Sequence, residues 1–249
     1  MERVIKQLNG FSGSTVLLVE QDDTLLVKKI NNVDRNWVQL SNLYKLGFNV
    51  PKIYKKEQNI LKMEYIDGLD MKTYIANYGI NGLYDFITTT IQQFKIDEKE
   101  KDYTETYNKK LSWLDQQSIL PFTKKQLIKR LPSHLPSSMY HGDMTLQNLI
   151  YSKTNKFYMI DTVTTEYDSW VFDLSKMRQD LTCHWFIRNE KDNNLITYLN
   201  ILENKILSEY PIINNNALLI LMLLRVFFYA DKNSDEYSFL LSEIKKLWK

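Results

Sequence analysis

A single cysteine, Cys183, is all the thiol this chain carries, so no internal disulfide can close and a cysteine-based metal centre is disfavoured. An excess of one charge is missing too. The 32 Lys and Arg residues face 30 Asp and Glu, and a net charge of +2 gives no footing for a nucleic-acid or acidic-membrane partner. Long hydrophobic runs are absent: the longest, Ala217 to Leu224, is far too short to span a bilayer. The opening residues, Met1 to Lys6, lack the apolar stretch of a signal peptide. Together these absences predict a cytoplasmic protein with no membrane insertion and no nucleic-acid partner. There are no internal repeats or low-complexity linkers. What is there is ordinary for a soluble globular chain: 249 residues, 44% hydrophobic and 25% charged, enough for one large domain or two modest lobes.

The first third reads as strands. Val4 to Leu8, Thr15 to Val19 and Thr24 to Ile30 are apolar, β-branched runs separated by turn residues. A helix is expected over about Asp34 to Leu46, stopped by Gly47, and two more strands over Lys52 to Tyr54 and Ile60 to Tyr65. After Asp67-Gly68 the pattern turns helical: Met71 to Asn77, Leu83 to Ile96, Tyr103 to Gln117 and Lys124 to Leu131. A compact β segment follows, with Met139-Tyr140, Leu149 to Ser152 and Phe157 to Ile160. Helices then fill the rest, over about Val171 to Thr182, Asp192 to Glu209, Asn215 to Tyr229 and Ser234 to Trp248. The outline is a small N-terminal sheet with one helix, residues 1–66, linked to a larger, mainly helical lobe with a β-hairpin, residues 67–249, with a ligand expected in the cleft between them.

The chemistry concentrates in Tyr140-His141-Gly142-Asp143-Met144-Thr145-Leu146-Gln147-Asn148. Asp161 comes thirteen residues after Asn148, at the end of the strand Phe157 to Ile160, and the turn Lys153 to Lys156 can bring the two together. A carboxylate with an amide oxygen suits a hard cation such as Mg2+. A second carboxylate placed beside an attacking hydroxyl can orient it and take its proton. Asp143 is the expected base, with Asn148 and Asp161 as metal ligands and His141 as a buttress of the loop. Singly, each would read as a turn residue or cap; jointly, the spacing argues for chemistry.

His-x-Asp-x-x-x-x-Asn followed by a strand ending in Asp resembles the protein-kinase catalytic loop and metal site. The form here, with His-Gly-Asp, then Ile-Asp, then Asp173-Leu174-Ser175-Lys176, is more similar to the aminoglycoside phosphotransferase and choline kinase group, which acts on small molecules. The resemblance is specific from about Tyr140 to Leu181. It implies an α+β, bilobal protein-kinase-like fold and an ATP- and Mg2+-dependent phosphotransferase, with Asp173 bracing the catalytic loop. On the nucleotide side it implies a phosphate-covering loop at Gly10, Ser12, Gly13 and Ser14. It also implies an adenine contact at Val27, a phosphate-binding Lys29 with Lys28 turned outward by strand alternation, and a hinge at Glu64 and Ile66. One departure stands out. No Glu occurs between Asp34 and Leu46 to pair with the lysine, and Gln39 is the best-placed substitute.

Asp-Phe-Gly and Ala-Pro-Glu are missing after Asp161, and there is no room for a long activation loop before Val171, so a peptide acceptor is disfavoured. Tyr167, Asp168, Trp170, His184 and Trp185 are candidates to line a sugar, polyol or amino-alcohol pocket, although aromatics in helices are more often core. The alternative to a small-molecule kinase is a catalytically weak nucleotide-binding or scaffold module of the same fold.

Overall fold

The computed structural model describes residues 2–8, 13–190 and 192–249. The chain packs as two compact units that interleave along the sequence. One unit comprises Met1–Asn77, His141–Asp143 and Gln147–Thr165; the other comprises Tyr78–Tyr140, Met144–Leu146 and Glu166–Lys249.

In the first unit, five strands form an antiparallel sheet: β1 (Glu2–Leu8), β2 (Thr15–Gln21), β3 (Thr24–Ile30), β4 (Ile53–Glu57) and β5 (Ile60–Glu64), in the order β1-β2-β3-β5-β4. Leu18, Val19, Leu26 and Leu61 are buried in it, and helix α1 (Asp34–Lys45) adds its buried Leu40 and Leu43. α1 is tied to β4 by Lys56, whose ammonium pairs with Asp34 at 2.7 Å and sits over the Trp37 ring. Helix α2 (Met71–Tyr78) follows the short strand β6 (Gly68–Leu69), which joins β9 (Leu149–Ser152) and β10 (Phe157–Met159) in a second sheet ordered β10-β9-β6. Tyr74 of α2 packs on Tyr151 and Phe157 of that sheet, with ring centroids 4.7 and 4.9 Å away.

The second unit is built around α6 (Trp170–Leu181), every residue of which is buried. Around it stand α3 (Asn81–Phe94), α4 (Thr104–Lys110), α5 (Lys124–Arg130), α7 (Asn193–Glu209), α8 (Asn216–Phe227) and α9 (Asp235–Trp248). α6 packs on α7 and α8, and the apolar run Ala217 to Leu224 is wholly buried in α8. Ser169, Asp192, Asn215 and Ser234 cap α6, α7, α8 and α9 by accepting from first-turn N–H groups, each contributing about 1 kcal/mol. The polar residues of α6 are met inside the core. Arg178 donates to Glu203 and, at 2.7 Å, to the Ile213 carbonyl, while Ser175 donates to Val171 O. Cys183, just past this helix, is buried, and burial pushes its thiol far above the ordinary range. No helix among the described residues is long and apolar enough to cross a membrane.

Two local expectations fail. The helix expected over Tyr103 to Gln117 breaks after Lys110 into a 3-10 turn, Ser112–Gln116. Met139-Tyr140 forms no strand. In its place a ribbon forms between β7 (Lys99–Asp102) and β8 (His134–Ser137), with Pro136 tolerated opposite Glu100 in a two-stranded sheet.

Candidate active site

The hairpin of β9 and β10 sets the site. Leu149 lies opposite Met159, and Ile160 N–H donates to Asn148 O at 2.9 Å, so Asn148 and Asp161 flank the same end. The outer edge of β9 takes β6, with Gly68 opposite Ser152. Only glycine fits there: a Cβ on Gly68 would lie 2.2 Å from the Tyr151 carbonyl oxygen.

The His-Gly-Asp turn closes over the segment after Asp161. Val163 N–H donates to His141 O at 3.0 Å, and Gly142, at φ +92°, lies so close that a Cβ would stand 1.9 Å from Val163 O. His141 is fully buried. Burial drives its pKa down to about 4, against the opposing pull of Asp143 and Asp161. The ring is therefore neutral, and its Nδ1 accepts from Asp143 N–H at 3.2 Å. Asn148 Nδ2 donates to Asp143 O at 2.8 Å and lies 3.4 Å from Asp143 Oδ2. Its other amide atom, Oδ1, has no partner among the described residues. Asp143 itself is half-buried.

Asp161 adopts the left-handed region at φ +53°, which Asp tolerates better than most residues. Lys29 Nζ pairs with its Oδ1 at 2.6 Å, and Asn36 Nδ2 donates to the same oxygen at 3.1 Å. Oδ2 has no hydrogen bond among the described residues, and 45% of the side chain is exposed. Strand alternation separates the two lysines as expected. Lys29 is buried toward Asp161, while Lys28 turns the other way and shares Glu2 with Lys62. Those two ammonium groups, Lys28 first, hold the Glu2 carboxyl below its usual range.

The donor set fits magnesium. The described residues contain no cluster of three His, Cys, Asp or Glu side chains that could cage a metal, but Asp161 Oδ2 and Asn148 Oδ1 are two hard oxygens of the sort this cation takes alongside water and phosphate. Val27 shares a strand face with Lys29, opposite Met63 of β5. Glu64 N–H is occupied by Lys52 O at 2.8 Å, whereas the Ile66 peptide makes no hydrogen bond among the described residues. Gly13 has φ +70°, and the Ser14 hydroxyl donates to Asn31 O at 2.9 Å. Gly10 and Ser12 lie outside the described residues.

The aromatic candidates belong to the second unit, and each has its own partners there. Trp170 donates to Glu98 at 2.9 Å and packs on Tyr210. Trp185 is buried against Phe239, Tyr167 against Phe172, and His184 meets Asn200. Asp168 is bonded through both oxygens, Oδ1 to Lys101 at 2.6 Å and Tyr103 at 3.0 Å, Oδ2 to Ser137 at 3.0 Å. They are core and scaffold, not a shared pocket.

No family model and no curated protein matches the sequence. Solved structures do match. An ethanolamine kinase from Plasmodium vivax aligns over 100% of this chain and 82% of its own, with a TM-score of 0.63 and 12% identity. An aminoglycoside phosphotransferase aligns over 99% and 93%, with a TM-score of 0.64 and 9% identity. A choline kinase from Streptococcus pneumoniae aligns over 97% and 92%, with a TM-score of 0.57 and 17% identity. The fold is protein-kinase-like. The α+β architecture expected from the sequence, a small antiparallel sheet with one helix ahead of a mainly helical region, is the observed one.

Within this kinase-like fold, two residues at the site were not singled out from the sequence, nor was one in the second unit. Asn36 reaches both Asp161 and Thr162. Arg35 donates to Thr164 O at 2.8 Å, and Thr164 N–H returns a bond to Arg35 O at 3.1 Å. In the second unit, Asp180 accepts from Leu146 N–H at 2.7 Å and so pins that unit's own stretch of the loop. Asn and Arg at a helix start read as capping and surface residues, and no periodicity marks them.

Proposed function

We propose that this protein is a phosphotransferase that uses Mg2+ and ATP to phosphorylate a hydroxyl of a small molecule. The observation that carries this reading is the pair of open oxygens at one end of a hairpin, Asp161 Oδ2 and Asn148 Oδ1, beside the Asp143 carboxylate and the buried ammonium of Lys29. Two metal-binding oxygens, a second acid and a cation are the set phosphoryl transfer requires. Magnesium, bound with the nucleotide, supplies charge neutralisation on the transferred phosphoryl group. Asp161 and Asn148 hold it. Lys29 meets the phosphates, and Gly10, Ser12, Gly13 and Ser14 cover them. Val27 packs on adenine, while Glu64 and Ile66 meet its edge, Ile66 through a peptide that has no hydrogen bond among the described residues. Asp143 orients the acceptor hydroxyl and takes its proton as the new O–P bond forms and ADP leaves.

In the same reading, residues 1–66 form the nucleotide lobe and 67–249 carry the catalytic loop and the acceptor, in a cytoplasmic protein. The acceptor class is a sugar, polyol or amino alcohol; the ethanolamine, choline and aminoglycoside kinases among the structural relatives support a small hydroxylated molecule. The absence of a Glu on α1 favours a second reading, a weakly catalytic nucleotide-binding module. ADP formation measured against a panel of amino alcohols, sugars, polyols and aminoglycosides, with mass analysis of the product, separates the two. Acceptor-dependent turnover that vanishes in Asp143→Asn is expected. Nucleotide binding with no turnover on any acceptor would favour the second reading.

A further inference from the structure

The first turn of α1 is sewn to the segment that carries Asp161. Asn36 is 9% exposed, and its Nδ2 donates twice, to Asp161 Oδ1 at 3.1 Å and to Thr162 O at 2.8 Å. Arg35 exchanges hydrogen bonds with Thr164 two residues on. Lys29, almost wholly buried, lands on the same Asp161 oxygen at 2.6 Å. Two donors therefore crowd one carboxylate oxygen, and the other has no hydrogen bond among the described residues. The Thr162 hydroxyl, buried and without a partner among them, does not compete for either.

Charge explains why an amide stands at position 36. A carboxylate there would face Asp161 at hydrogen-bond distance, repel it and draw Lys29 away, because like charges this close repel strongly where water screens them poorly. An aliphatic residue would leave Thr162 O and Asp161 Oδ1 each short of a donor. Only a neutral donor of this length holds the backbone carbonyl and the carboxylate at once while leaving the lysine's charge on Asp161.

We propose that Asn36 is a positioning residue for the metal ligand: by fixing Asp161 through Oδ1 it aims Oδ2 alone at the incoming divalent cation. The proposal rests on the phosphotransferase reading for the identity of that cation and its nucleotide. Asn36 touches neither; it acts through Asp161.

The test measures binding and needs no acceptor. Mn2+ replaces Mg2+ and is followed by electron paramagnetic resonance on the ADP complex, with ADP affinity in EDTA measured alongside. Asn36→Leu is expected to lower Mn2+ affinity about 10–100-fold, the usual loss when a partner of a metal ligand is removed, and to leave metal-free ADP affinity unchanged. In an Asp161→Asn background the same change is expected to cost nothing further, since the oxygen it aims is already gone. Should Asn36→Leu fold poorly, Asn36→Ser repeats the measurement with a smaller perturbation. Equal Mn2+ affinity in wild type and both variants overturns the proposal while leaving the phosphotransferase reading in place. So does a loss that adds fully to Asp161→Asn. A wild-type chain that binds ADP neither with nor without Mn2+ overturns both.

Discussion

Asp161 and Asp168 lie seven residues apart and are bonded in opposite ways. Asp161 receives Lys29 and Asn36 on one oxygen and keeps the other bare. Asp168 spreads Lys101, Tyr103 and Ser137 over both oxygens, and its main-chain carbonyl accepts from Ser138 as well. A saturated carboxylate organises protein; a half-served one is available to something else. The contrast separates a residue that holds β7, β8 and the start of α6 in register from one that can take a cation.

The largest expected effect sharpens the open side of that contrast. Asp143→Asn keeps the shape of the loop and the bond from Asn148 to its carbonyl, but removes a proton acceptor. Turnover on the true acceptor should fall about 10²–10⁴-fold with ADP affinity nearly unchanged, as steady-state kinetics beside calorimetry would show. Full turnover in the variant would mean the loop has been misassigned.

The two aspartates can be set against each other next. Asp168→Ala strips partners from Tyr103 and Ser137 and should cost about 1–3 kcal/mol in urea unfolding. Its ion pair with Lys101 adds little to that figure, because Asp168 and Lys101 are 26% and 39% exposed. Asp161→Asn keeps an acceptor for Lys29 and Asn36 and should cost less, while abolishing the metal dependence of ADP binding. A reversal of the two stabilities would break the distinction.

His141 supplies a pH version of the saturated case. Its folded pKa, about 4, lies below the unfolded value near 6.5, so the neutral ring contributes fully above pH 6.5 and the contribution fades as pH falls toward 4. Between pH 7 and 5 stability should drop by on the order of 2 kcal/mol through this group. Denaturation midpoints for the wild type and His141→Gln across that range would reveal it as a flatter profile in the variant. The smallest effect is the cationic counterpart: Lys28→Ala, which loosens a rim cluster with Glu2 and Lys62, should shift stability by less than about 1 kcal/mol. ADP binding should not change, whereas Lys29→Ala should weaken it. The opposite pattern would place the strand one residue out of register.

Much of this was readable from sequence where short apolar runs stand between turns. β3 begins and ends at Thr24 and Ile30 as expected, because an apolar run bounded by turn residues leaves little choice. Alternation alone put Lys28 and Lys29 on opposite faces. The turn between Asn148 and Asp161 was legible for the same reason. The β7–β8 ribbon was not: Lys99-Glu100-Lys101-Asp102 has no apolar alternation, and its partners, β8 and the Asp168 that binds Lys101 and Tyr103, are distant in sequence. Asp180 was hidden by α6, which is buried all round and so shows no polar face. Asn36 was hidden by its type, since an amide in a first helical turn is the commonest of capping signals.

The lone thiol has a practical consequence. Cys183 is enclosed and held protonated, so the native chain is a blank to maleimide chemistry at neutral pH. A cysteine introduced at the exposed Lys156, just before β10, would be the one reactive thiol on the molecule. A fluorophore attached there would report on the β9–β10 hairpin without any background to subtract.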